Sequence, residues 1–352
     1  MNLQRTLSLL LTLLLTPAAI HAADPTDSVA RPHNITISGE LLSRAEWRNG
    51  VLPSQYDNAQ FIIERTRLNF IYSQPHLAVQ ITPQHSGVWG AQSNGTLLMF
   101  QAWAQLTSKQ GLFAKIGRQT LNYDDERIIG INDWSMTGAY HDALKVGYHG
   151  RKHLAEAVLA YNQNNSNTNG GTRYENGGQI YKTMQLFWYH FQPRDNLGIS
   201  ALLLNTGLQD PDTTFNKTRY QQLFGTYIDY HPRNVRLQGS FYLQRGRNEN
   251  NLPIRAWTCA FESTWQPAPQ WRLNTGYFHL SGDKNYTVPP HGGIGLQRLT
   301  EERAFSLLFG SKHQFYGAMD FFYLRGYYGG RSPGLQDFHV GSNWQPIAKL
   351  NE

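Results

Sequence analysis

The chain has 352 residues, of which 13% are aromatic, 16% are charged and 32 are glycine. This balance excludes disorder and collagen, and it fits an aromatic-rich all-β chain better than a helical one, in which Ala, Leu, Glu and Lys dominate. Basic residues number 31 against 25 acidic, an excess too modest for a nucleic-acid footprint, and the single cysteine, Cys259, excludes a disulfide framework or a Cys-rich metal site.

At the N-terminus, Met1 to Arg5 carry one positive charge, Leu7 to Leu15 form a short apolar stretch, and Pro17, Ala18, Ala19, Ala22 and Ala23 supply a helix breaker and small residues. That is the pattern of a secretory signal peptide over residues 1–23, leaving 24–352 as a single exported domain. Arg5 departs with the leader, so 30 basic residues then face 25 acidic ones, a formal +5. Such an excess can bias a pore toward anions. No later apolar run approaches the roughly 20 residues that a membrane helix needs.

Beyond Asn34, segments of about ten residues alternate apolar and polar side chains, the signature of a transmembrane antiparallel up-and-down β-barrel. Fourteen strands are predicted: 35–48, 60–73, 77–84, 97–107, 112–119, 138–148, 153–162, 180–191, 197–206, 220–230, 235–246, 254–265, 271–280 and 335–344. Short turns, most with Pro after Gln or His, alternate strictly with long polar connections, the longest being 281–334. A barrel with short turns on its periplasmic rim has that alternation, and a soluble sandwich has no reason to keep it. Within the longest connection, 303–328 is apolar enough either to pair as further strands or to fold inward. The chain ends at Glu352 without a terminal aromatic, so the closing strands are expected to lie beyond it.

Alternation also assigns faces. In the first strand Ile35, Ile37, Leu41, Ala45 and Trp47 share one side, and Glu40, Arg44, Glu46 and Arg48 the other. The charged side must be the lumen, because an arginine facing lipid at mid-membrane costs about 2–4 kcal/mol. The same rule puts Arg65, Arg67, Lys115, Lys145 and Arg236 in the lumen. Two readings of these cations stand together: ion pairs with Glu40, Glu46 and Glu262 bracing a wide barrel, or a file of guanidinium groups offering carboxylates successive bidentate sites. Tyr72, Tyr148, Trp188, Tyr189, Tyr230, Trp257, Trp265, Trp271 and Trp344 fall near strand ends, as an interfacial belt requires. Trp103 instead shares the wet face with Gln101 and Gln105.

The run from Gly117 to Gly130, GRQTLNYDDERIIG, with Asp133-Trp134 and Asp142-Ala143, resembles the signature of the alginate-export outer-membrane porin family. So do Glu64-Arg65-Thr66-Arg67-Leu68, Ser281-Gly282-Asp283, Phe309-Gly310-Ser311-Lys312-His313-Gln314-Phe315-Tyr316-Gly317 with Met319-Asp320, and Gly334-Leu335-Gln336-Asp337. The resemblance implies a monomeric barrel of about eighteen strands. It also implies a basic lumen that passes an anionic polysaccharide, a polyuronate, outward through the outer membrane of a Gram-negative bacterium, aided by periplasmic export partners. In such a channel Arg44, Arg48, Arg65, Arg67, Lys115, Lys145 and Arg236 set the lumen field, and Arg118, Asp125, Glu126, Arg127 and Asp142 form a constriction or rim.

No metal-ligand spacing, nucleophile elbow or phosphate loop is present, so neither a cofactor nor an enzymatic activity is expected. Asp124, Asp125 and Glu126 read first as a solvated acidic patch, and His141 as a residue on the wet face of its strand. Cys259, beside Trp257 and Phe261, reads as packing or lipid-facing. Two other functions remain open: a general or small-solute anion-preferring porin with structural interior charges, and a surface adhesin that uses the 281–334 connection.

Overall fold

The computed structural model describes residues 34–48, 59–91, 95–164, 166, 172–175, 177–211, 216–283, 300–316 and 332–345. The expected signal peptide and the C-terminal seven residues lie outside that set. Fourteen strands form one antiparallel sheet: β1 (Asn34–Arg48), β2 (Ala59–Ser73), β3 (Leu77–Val88), β4 (Thr96–Thr107), β5 (Leu112–Gln119), β6 (His141–His149), β7 (His153–Tyr161), β8 (Thr183–Arg194), β9 (Leu197–Gln209), β10 (Thr218–Tyr230), β11 (Val235–Arg247), β12 (Pro253–Ala268), β13 (Trp271–Leu280) and β14 (Leu335–Trp344). Each strand pairs with the next in sequence, so the topology is purely up-and-down. The fold class and all fourteen predicted strands are present. Among the described residues no ladder joins β14 to β1.

Some strand bounds shift by three or four residues, as at the starts of β6 and β8 and the end of β9, and proline marks three irregular pairings. Pro83 lies inside β3, which runs four residues past its expected end at Gln84. The missing N–H is accommodated by a register shift between Thr82 and Pro83. Pro193 and Pro267, read from sequence as turn residues, are likewise held in β8 and β12 beyond shifts at Phe191/Arg194 and Trp265/Ala268. The turns themselves follow at 195–196 and 269–270.

The two faces of the sheet differ in chemistry. Ile35 and Ile37 are each 66% exposed and Leu41 72%, and Leu68, Phe70, Ile116, Leu144, Leu203, Phe241, Phe338 and Val340 continue the exposed apolar face across the sheet. Tyr148, Trp265, Trp271 and Trp344 stand on the same outer face beside the short turns, with Trp271 stacked on Trp344 at 5.9 Å. Cys259 lies there too, opposite Phe241. Trp188 departs from the expected belt: it points inward, donates to Asp124 at 3.0 Å and lies 5.4 Å from the Tyr123 ring.

The inner face is concave, because one connection reaches strands far apart in the sheet. Residues 120–140, between β5 and β6, bond to β2 through Asp133, to β9 through Asp124 and to β12 through Arg127. Part of the longest connection joins them inside. Residues 303–316, ending in the one-turn helix α1 (Lys312–Tyr316), bury Ala304, Phe305, Leu307, Leu308 and Tyr316. Of the two outcomes open for 303–328, folding inward is therefore the one observed over 303–316; 317–328 lies outside the described residues.

Candidate functional site

The site is the inserted connection and the walls that hold it. Residues 121–131 close on themselves through Glu126 N–H to the Tyr123 carbonyl (3.0 Å) and Tyr123 N–H to the Ile129 carbonyl (3.2 Å). Asp124 and Glu126 adopt positive φ, 55° and 66°, a region that short polar side chains enter more readily than branched ones. A parallel bridge then joins Ile129 to Phe309, with Gly130 N–H donating to the Phe309 carbonyl at 3.0 Å and Ser311 N–H to the Glu126 carbonyl at 2.9 Å. Gly310 is required there, since a Cβ on it would collide with the backbone carbonyl of Arg127.

The acidic triplet is not the solvated patch expected from sequence. Asp124 accepts from Ser200 at 2.5 Å and Trp188 at 3.0 Å, Asp125 pairs with Arg127 at 3.1 Å, and Glu126 accepts from Ser311 at 2.6 Å and Asn122 at 2.9 Å. Burial raises the Asp124 carboxyl above the ordinary carboxylate range, against the pull of its two donors. Among the described residues no cluster of three metal-ligating side chains is formed. The connection places these carboxylates against donors, because a buried charge without partners is costly.

Arg127 is the centre of the clasp on one side. It is 2% exposed, its Nη2 meets Glu262 of β12 at 2.7 Å, and its guanidinium lies over the rings of Phe315 at 3.9 Å and Phe278 at 4.3 Å. His141, expected on a wet face, is buried beneath the 303–316 segment and Tyr181, with Nδ1 2.8 Å from the Tyr181 hydroxyl and Phe309 set edge-on to its ring. The inner face of its strand is dry at that level because the Phe309 and Tyr181 rings cover it.

On the opposite wall Asp133 lies between two arginines of β2. Arg67 Nη1 reaches it at 2.8 Å and Arg65 Nη1 at 3.1 Å, while Arg65 Nε donates to Glu40 at 2.9 Å and Arg67 Nε to Gln84 at 2.6 Å. Both arginines are almost fully buried, and Arg67 also stacks on Phe100 at 3.7 Å. Arg44 pairs with Glu46 at 2.7 Å, donates to the Trp134 carbonyl at 2.8 Å and stacks on the Trp134 ring at 4.5 Å. These arginines therefore hold the insert rather than stand free in the lumen.

The other predicted residues fall into three groups. Lys115 and Lys145 face inward directly opposite each other across β5 and β6; Lys145 pairs with Glu156 at 3.1 Å, and Lys115 lies 3.7 Å over the Trp103 ring without an ion-pair partner among the described residues. Arg236 faces inward near the short-turn end, with Nε 3.0 Å and Nη2 2.6 Å from the Asp229 carboxylate oxygens. Arg118 and Asp142 pair through two bonds of 2.8 Å at the long-loop end of β5 and β6, but they stand on the outer face with Ile116 and Leu144, so they belong to the rim and not to the constriction. The side chain of Arg48 lies outside the described residues.

Asp133, Gln84, Glu156 and Tyr123 were assigned no role from the sequence. Asp133 and Tyr123 sit inside the quoted motif; Tyr123 donates to Glu156 of β7, while Asp133 meets Arg65 and Arg67 of β2, and Gln84 of β3 holds Arg67 and the carbonyls of Met136 and Thr137. The inward fold of the connection brings these residues together, and no local pattern records it.

No family model matches the chain, and no curated protein matches it. Solved structures align at low identity. OccK9 (OpdG) of Pseudomonas aeruginosa aligns at 13% identity and TM-score 0.49, over 71% of this chain and 69% of that one. Salmonella typhi OmpF in complex with daunomycin aligns at 12% and 0.47, over 75% and 82%. The outer membrane channel DcaP of Acinetobacter baumannii aligns at 13% and 0.42, over 72% and 80%. The up-and-down architecture is read from the strand ladder of the chain itself.

Proposed function

We propose that the protein is a passive channel of a Gram-negative outer membrane, carrying anionic solutes through a bore narrowed by residues 120–140, with an acidic polysaccharide of the polyuronate class as its substrate. The observation that carries this reading is the division between the faces of one sheet: exposed Ile, Leu, Phe and Val outside, and guanidinium, ammonium and carboxylate groups around an inserted segment within. An apolar outer wall is favourable in lipid, and a sheet spans lipid only when its backbone groups are paired strand to strand.

The preference for anions rests on Lys115 and Lys145. Two like charges stand opposite each other on the inner wall with one adjacent carboxylate, Glu156, engaged by Lys145. That leaves a positive excess where a carboxylated polymer makes weak, repeated contacts, which conduction needs. The polymer itself is supplied by the resemblance of the Gly117–Gly130 and Phe309–Gly317 runs to the alginate-export family. Against it, the carboxylates on Arg44, Arg65, Arg67 and Arg236 favour a second reading, a small-solute porin whose arginines are structural.

Planar-bilayer recording with the purified full chain separates the two. A polymer channel gives an anion-selective reversal potential under a salt gradient and transient current blocks by oligouronates but not by neutral oligosaccharides of equal length. Selective conductance without blocks rejects the polymer and leaves the small-solute channel; the absence of conductance from protein inserted in the bilayer rejects both.

A further inference from the structure

On the outer wall, near the long-loop ends of five consecutive strands, five polar side chains lie in one row. Gln185 of β8 is directly opposite Asn205 of β9, Asn205 opposite Gln222 of β10, Gln222 opposite Arg245 of β11, and Arg245 opposite Arg255 of β12. Alternation puts all five on the side of Phe187, Leu203, Phe224 and Trp257, away from the buried residues of the same strands. The amides link into a ladder: Asn205 Nδ2 donates to Gln185 Oε1 at 2.6 Å, and Gln222 Nε2 to Asn205 Oδ1 at 2.8 Å.

The row ends in two cations. Like charges directly opposite each other on a sheet repel, and only one of the two has a carboxylate nearby among the described residues. Arg245 Nη1 donates to the backbone carbonyls of Gln244 and Ala256, at 2.8 and 3.3 Å, and makes no ion pair among the described residues. Arg255 is 67% exposed at its side chain and makes a long ion pair of 3.8 Å with Glu301, which Arg303 also engages.

Immediately toward the short-turn side, the next outward row is wholly apolar: Phe187, Leu203, Phe224, Leu243 and Trp257, again in direct register. Between the strands of β8, β9 and β10 the two rows bound a groove of about 520 Å³, with Phe187, Leu203 and Phe224 among its apolar lining and Gln185, Asn205, Gln222 and Arg245 at its polar edge. The wall thus changes from apolar to hydrogen-bonding within one step along the strands. That is the change an amphiphile makes between its chains and its head group.

We propose that this surface binds a phosphorylated lipid, with its phosphate bridging Arg245 and Arg255, its neighbouring ester or hydroxyl oxygens on the Gln222 and Gln185 amides, and an acyl chain along the Phe187–Leu203–Phe224 groove. Guanidinium groups favour phosphate through paired, charge-assisted donors, and a bridging anion relieves the repulsion between the two. The inference rests on the membrane reading of the outer wall proposed above, but it does not depend on what the bore transports.

The test uses the full chain purified in detergent, titrated with phosphatidic acid, with diacylglycerol of the same chains, and with inorganic phosphate, and read by native mass spectrometry. Phosphatidic acid is expected to bind at least tenfold more tightly than either comparison ligand, to lose that advantage in Arg245→Gln/Arg255→Gln, and to retain most of it in Arg245→Lys/Arg255→Lys. Equal binding of phosphatidic acid and diacylglycerol overturns the phosphate site, and inorganic phosphate as tight as phosphatidic acid overturns the lipid as its source. Unchanged binding in the Gln variant overturns these two residues. Failure of the wild-type chain to float with phospholipid vesicles would instead reject the membrane reading, and it is scored separately. Bilayer conductance of the Gln variant, expected to equal wild type, establishes that the barrel is intact.

Discussion

The two sides of the interior hold the same inserted segment by different forces. Along β7 to β12 the inner wall is built from Val158, Met184, Leu186, Leu202, Leu204, Leu223, Tyr242 and Ala256, all buried against Leu121, Tyr123, Ile128 and Ile129 of the insert or against 305–308. Along β1 to β3 the wall meets it with Arg44, Arg65, Arg67 and Gln84. One contact is non-directional and scales with area; the other fixes position through planar, bidentate groups. Burial on one side gives affinity, and the arginine clasp on the other gives register. The inside of such a barrel is therefore not uniformly wet.

Four substitutions break or sharpen this contrast. The largest effect is expected for Ile129→Asp, which puts a carboxylate at a fully buried position of the apolar contact and should cost about 4–5 kcal/mol or more. The insert should release, seen as a rise in single-channel conductance in a barrel that still migrates as folded; unchanged conductance would mean that the insert does not narrow the bore. Arg67→Ala should cost less, about 1–3 kcal/mol, because Asp133 keeps Arg65 and is half exposed to water. Its signature is noisy, flickering conductance rather than a stable wider state, since position is lost while affinity remains.

Lys115→Ala removes a cation–π contact of about 0.5–1 kcal/mol and should barely change thermal unfolding. It should nevertheless move the reversal potential toward unselective, and no movement would exclude Lys115 as a source of anion preference. The smallest effect belongs to Arg236→Gln: its pair with Asp229 is half exposed, so less than about 1 kcal/mol of stability is at stake. A large loss on denaturant unfolding would show that the short-turn end is braced by this pair.

The strand count, the order of connections and the inward set of Arg44, Arg65, Arg67, Lys115, Lys145 and Arg236 were legible in the sequence, because period-two alternation is local. Legibility failed where a residue's surroundings come from distant segments. Asp124 to Glu126 read as a solvated patch because nothing local places Ser200, Trp188 or Ser311 beside them. His141 read as wet for the same reason, since the Phe309 and Tyr181 rings that cover it are separated from it by 168 and 40 residues. Proline read as a turn at 193 and 267, where register shifts keep it within the strand.

The sequence by itself determined which residues of each strand share a face and roughly where the chain turns, since the first follows from side chains two residues apart and the second from clusters of turn-forming residues. Only the tertiary structure decided which inner positions stay wet. Two connections fold back into the space that the curved sheet encloses and seal one wall with apolar side chains, while cross-strand register gathers Arg245 and Arg255 into one outer row, and no local pattern records either event.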